Sequence, residues 1–224
     1  MNAIGGSTSE ADGPAFHART GVLAGTLAGR EVEPFLSGLL IGAEVAEALR
    51  EVAADLPLAL VADDVLAESY RHDAGDQALI GAGTVVESED VSKVAAAGAR
   101  FVVSPNTEVS VIAATKRAGL VSLPGVQTPT EAFAAIKAGA DMLKYFPGEA
   151  ATPAILRALF AVIPKSAPLV LVGGVSAHSI EQWADPPLAG FGVGGSLYKS
   201  GDAPAVVASR ARALVAALRA CGRM

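Results

Sequence analysis

The sequence predicts an α/β protein built on parallel strands, and three observations carry that prediction. Short, nearly continuous apolar runs recur, with starts roughly 20 to 30 residues apart, as ALIGAGTV (78–85), ARFVVSPN (99–106), LVSLPGV (120–126), ADMLKYFP (140–147), LVLVGGV (169–175) and GFGVGGSL (190–197). Unbroken apolar runs of this length fit strands covered on both faces. Ala-rich segments with helical spacing lie between them, and three close on Ala-Gly just before the next strand, in AAAGARF, KRAGLVS and IKAGADM. Glycines also gather at the ends of the last two runs.

Taken in order, each unit has its own start and stop signals. VESEDVSKVAAAGAR opens with acids and ends at a glycine, so it reads as a helix closed at C′. TPTEAFAAIKAGA repeats the pattern, with Thr128 or Thr130 available as N-cap. A final helix is expected over 203–220. Residues 76–224 are thus six βα units, whose length implies right-handed crossovers and a parallel sheet. Upstream, Leu36, Leu39, Leu40, Ala43, Ala46 and Glu47 trace a helical stripe within 34–50. Residues 56–62, LPLALVA, read as a strand, and 63–73 as a short helix. Residues 1–20 read as a disordered start with no basic or apolar leader region.

Composition limits the partners. The chain has 224 residues, 51% hydrophobic and 18% charged, with net charge −6 and no basic run. Nucleic acid and anionic membrane are poor partners for it. One cysteine, Cys221, rules out an internal disulfide framework and suits a reducing, cytoplasmic compartment. No apolar stretch reaches the roughly 18 residues of a membrane span. His17, His72 and His178 are scattered without ligand spacing, so no metal site is expected. Trp183 reads as core packing.

Two architectures accommodate six βα units, an open doubly wound sheet or a closed eight-stranded barrel. GAGTVV (81–86) lacks the third glycine of a dinucleotide fingerprint. Gly173-Gly174 and Gly194-Gly195-Ser196 instead sit where barrel loops 7 and 8 commonly bind phosphate, although ordinary tight turns would use the same residues. On that count Lys144 falls on strand 6. Met142, Lys144 and Phe146 share one side, which in a barrel faces the packed interior. A buried lysine is costly unless neutralised, paired or used. It is either a lowered-pKa amine able to attack a carbonyl, or a side chain that snorkels out to pair with Glu149. Lys93, Lys116 and Lys137 fall in helices, and Lys165 and Lys199 in loops or caps.

These stretches resemble a known family. DQALIGAGTV, FVVSPN, TPTEAFAAIKAGADMLKYFP, LVLVGGV and GVGGSLY, in that order over about 150 residues, are similar to the Schiff-base aldolases of phosphorylated 2-keto-3-deoxy sugar acids (KDPG/KHG aldolases), in particular to those of the phosphogalactonate type. The resemblance implies a metal-free, cofactor-free lyase on a (β/α)8 TIM-type barrel. It implies cleavage of a phosphorylated keto-deoxy sugar acid into pyruvate and glyceraldehyde 3-phosphate by a homotrimer. It assigns Lys144 to the imine, Thr84 to the pyruvate moiety, and Gly173, Gly174, Gly194, Gly195 and, with looser alignment, Ser196 to the phosphate. The family's first two units carry an arginine and a proton-shuttling glutamate, and residues 1–75 hold no counterpart of either. The barrel is therefore expected to be incomplete, with strands 3–8 recognisable and strands 1–2 absent or replaced.

Residues 21–75 are similar to something else. GVLAGTLAGREVEPFLSGLLIGAEVAEAL (21–49) resembles the C-terminal end of 2-keto-3-deoxygalactonate kinases, continued more weakly by LPLALVADDVLAESYRHDA. Only the kinase's tail is represented, so no kinase activity is expected. A fused or internally deleted reading frame, natural or artefactual, accounts for the join. Strand 56–62 is then expected to cover the exposed edge of the aldolase strands. Glu149, five residues after Lys144, is the candidate carboxylate to replace the shuttle, against the simpler role of a helix N-terminal acid. The functional alternatives are a non-catalytic phosphosugar-binding remnant and an aldolase for the gluconate epimer.

Overall fold

The computed structural model describes residues 58–62, 78–199 and 202–221. The expected disordered start over 1–20, the helices at 34–50 and 63–73, and the kinase-like stretch 21–49 lie outside these residues. The strands are β1 (Leu58–Ala62), β2 (Ala78–Gly83), β3 (Phe101–Val103), β4 (Val121–Leu123), β5 (Gly125–Val126), β6 (Leu143–Tyr145), β7 (Leu169–Val172) and β8 (Gly190–Gly192). The helices are α1 (Asp90–Ala96), α2 (Val109–Arg117), α3 (Pro129–Lys137), α4 (Pro153–Phe160) and α5 (Pro204–Ala220).

All pairings are parallel, in the orders β1-β2-β3-β4 and β5-β6-β7-β8. The two sheets are joined through a single run of chain. LVSLPGV, expected as one strand, divides at Pro124, which has no N–H to give to a ladder. Before Pro124 the run pairs with β3, and after it with β6. The proline carbonyl still accepts from the Lys144 amide at 2.9 Å. The strands therefore follow chain order as a barrel wall does, and no pairing joins β8 to β1 among the described residues. Strand β1 pairs with β2 over five positions, from Leu58↔Ala78 to Ala62↔Ala82, and so covers the edge the sequence left open.

The helices close as their sequences dictate. Gly98, Gly119 and Gly139, one residue past the caps of α1, α2 and α3, have φ of 84°, 73° and 96°. In that left-handed region a side chain would be strained. Thr128, rather than Thr130, caps α3, and Glu131 returns a bond to the Thr128 amide to complete a capping box.

The two faces of the sheet differ. Toward the helices, Leu143, Tyr145, Leu156, Leu169, Leu171 and Trp183 form one core, and Leu156, Leu169 and Leu171 are wholly buried. Each such leucine contributes about 1.5–3 kcal/mol. The register places Gly125, Lys144 and Val170 together on the opposite, inner face. There Val103, Leu123, Val170 and Val172 are only half-buried. Thr128→Val should lower stability by about 1 kcal/mol in urea denaturation, and Thr130→Val should change it by less than about 0.5 kcal/mol.

Candidate functional site

Lys144 lies mid-strand between two residues that point into the helix core, so alternation turns it inward. It is the only charged residue in any described strand. Its residue exposure is 9%, and its Nζ sits 4.3 Å from the centre of the Phe146 ring. It forms no ion pair among the described residues, so the pairing with Glu149 does not occur. Burial holds its amine below the ordinary lysine value. The two neighbouring strands present Gly125, which has no side chain, and Val170.

Glu149 lies in the short 3-10 helix Gly148–Ala150, and its carboxylate rests against Gly173 and Gly174. Those glycines follow β7 directly with φ of 107° and 66°. A Cβ on Gly173 would overlap the Glu149 carboxylate and the Gly148 amide. Backbone conformation and close packing therefore both demand glycine here, whatever the loop binds. Gly194 and Gly195 differ, because a Cβ on either would meet nothing within 4 Å. The protein itself does not need them bare, and they leave free approach for a ligand. Ser196 donates its hydroxyl to the Val175 carbonyl at 2.5 Å, tying the loop after β8 to the loop after β7. Both candidate phosphate loops are thus held together at one end of the sheet. Beside them a cavity of about 320 Å³ is lined by Ser176, His178, Gly195, Ser196, Lys199 and Arg210. Arg210 is held by an ion pair with Asp202.

Thr84 is the first residue after β2, and it is the single non-glycine residue with positive φ among those described, at 58°. For a β-branched side chain this conformation is an outlier worth about 1–2 kcal/mol. Strain of this kind clusters at functional sites. Thr84 and the glycine loops therefore sit just beyond the C-terminal ends of parallel strands, while Lys144 is the middle residue of β6. Two features escaped the sequence reading. The contact of Phe146 with Lys144 was signalled only by their shared strand face. The seat of Glu149 on the β7 loop had no local signal, because it joins segments 24 residues apart. Thr84→Gly should leave stability unchanged or raise it by up to about 1 kcal/mol, since strain relief outweighs glycine's added unfolded-state entropy. Thermal denaturation checks this, and turnover should fall in the same variant.

Comparison with known proteins fits this geometry. A family model described as KDPG and KHG aldolase matches residues 43–207, beginning upstream of residue 76. The chain is 43% identical over 145 residues to 2-dehydro-3-deoxy-6-phosphogalactonate aldolase of Escherichia coli (strain K12), covering 65% of this chain and 71% of that protein. It is 45% identical over 139 residues to a probable 2-dehydro-3-deoxy-6-phosphogalactonate aldolase of Rhizobium meliloti (strain 1021), covering 62% of this chain and 66% of that one. The matched part thus spans about two-thirds of each relative. A solved structure described as native KDPGal superposes with a TM-score of 0.74 at 34% identity, covering 84% of this chain and 91% of that one. Parallel strands in chain order, a lone inward lysine on β6 and this extended match together mean that the chain belongs to the KDPG and KHG aldolase family.

Proposed function

We propose that this chain is a class I aldolase that cleaves 2-dehydro-3-deoxy-6-phosphogalactonate to pyruvate and glyceraldehyde 3-phosphate. The observation that carries the reading is Lys144, a buried amine on the inner face of β6 with no counter-ion among the described residues. An amine with lowered pKa is the nucleophile a carbonyl substrate requires. Its nitrogen attacks the C2 keto carbon, water leaves, and a protonated imine remains. A base takes the C4 hydroxyl proton, the C3–C4 bond breaks, and its electrons pass to the imine to give an enamine. Glyceraldehyde 3-phosphate departs. Protonation at C3 and hydrolysis then release pyruvate and the free lysine.

Thr84 is assigned to the pyruvate end, and Gly173, Gly174, Gly194, Gly195 and Ser196 to the phosphate. A cytoplasmic, homo-oligomeric enzyme, trimeric as the family resemblance implies, completes the reading. No described helix is long and apolar enough to cross a membrane.

A second reading, a phosphosugar-binding chain without turnover, is favoured by one observation. Lys144 has no carboxylate partner among the described residues, and Glu149 is committed to the β7 loop. Loss of general base help lowers rates by typically 10²–10⁴-fold.

Incubation with pyruvate and borohydride separates the readings. The aldolase reading predicts a mass adduct on Lys144 that Lys144→Met abolishes, and a chain that gives no adduct is the binding remnant. A coupled assay with both epimeric substrates should favour the galacto form, at a rate roughly 10²–10⁴-fold below that of an aldolase with a shuttle. Lys144→Met should also be more stable in urea. A lysine whose folded pKa lies below its unfolded value makes stability rise as pH climbs between the two. That rise should disappear in the variant.

A further inference from the structure

We infer that Phe146 is a positioning residue for Lys144, whose ring face supplies the counter-charge for the cationic forms of that nitrogen. The inference rests on the proposed imine role of Lys144. The two side chains are two apart on one strand run and meet at 4.3 Å. An aromatic face attracts a cation through its quadrupole, and more so where water is excluded. Phe146 is itself 36% exposed and Lys144 9% exposed, so the ring is the more solvent-accessible of the pair.

Nothing else described supplies that charge. From β5, Gly125 and Val126 face or flank Lys144, and from β7 Val170 and Val172 do so. The inner positions of β3 and β8 are Phe101, Val103, Gly190 and Gly192, and β1 and β2 contain no titratable residue. On β6 itself, Tyr145 points to the helix core, where burial and the Glu131 carboxylate keep its phenol neutral by raising its pKa. Glu149 rests on Gly173 and Gly174. The ring is therefore the one group found to oppose the desolvation that favours the neutral amine.

The consequence concerns two cations at one nitrogen. The ammonium and the protonated imine both carry their charge there. Stabilising the first raises the pH at which attack begins, and stabilising the second holds the intermediate once it forms. A ring that merely fills space would do neither.

The test follows pyruvate trapping by borohydride on the full chain, by intact mass, as a function of pH and pyruvate concentration. In Phe146→Leu the midpoint of the pH profile should fall by about one pH unit, and the pyruvate level for half-maximal trapping should rise about tenfold. Pentafluorophenylalanine placed at position 146 keeps the shape, reverses the ring quadrupole and should shift both readouts in the same direction. Phe146→Tyr should restore the wild-type profile. An unchanged midpoint in the fluorinated protein would overturn the inference while leaving the imine role intact. No adduct in the wild-type protein would overturn the imine role, and the inference with it.

Discussion

A single buried amine, with no ion-pair partner among the described residues, organises this part of the molecule. Among the described residues no charged group pairs with Lys144, which lies on a strand whose flanking residues, Leu143 and Tyr145, are anchored in the helix-facing core. That anchoring prevents escape. A rotation that freed the lysine would drag two fully buried side chains to the other face, because strand neighbours alternate. The packing of Ala132 and Ala135 of α3 and of Leu156 and Leu159 of α4 in one core with Leu143, Tyr145 and Leu171 therefore fixes the position of the Lys144 nitrogen, and the core around it carries the cost of burying it.

The rest of the site depends on the same parallel frame. Strand ends collect on one side, and the chain there takes conformations that a regular element would not allow. Thr84 sits in the left-handed region, and Gly173 and Gly174 make a turn that only glycine fits beside Glu149. The Ser196 hydroxyl then holds the last two loops together. The register keeps β6, β7 and β8 in step, so that the loops proposed to hold the phosphate end share one side with Lys144.

Much of this was legible in the sequence because it is local. Ala-Gly closures announced three helix ends, and all three glycines have positive φ. The shared face of Met142, Lys144 and Phe146 announced an inward lysine. What was not legible depends on contacts between distant segments. The strand split at Pro124 arises because one run serves two different neighbours. Glu149 was matched to Lys144 by proximity along the chain, whereas it packs against a loop 24 residues further on. The capping threonine of α3 was ambiguous until Glu131 selected Thr128 through a reciprocal bond.

The central claim is that Lys144 is a desolvated amine, without a carboxylate partner among the described residues. Heteronuclear NMR titration of the lysine side-chain amines, with the Lys144 signal identified by its loss in Lys144→Met, measures this directly. The account predicts a midpoint clearly below the ordinary lysine value of about 10.4. A Lys144 signal titrating at that value, or above it, would contradict the account.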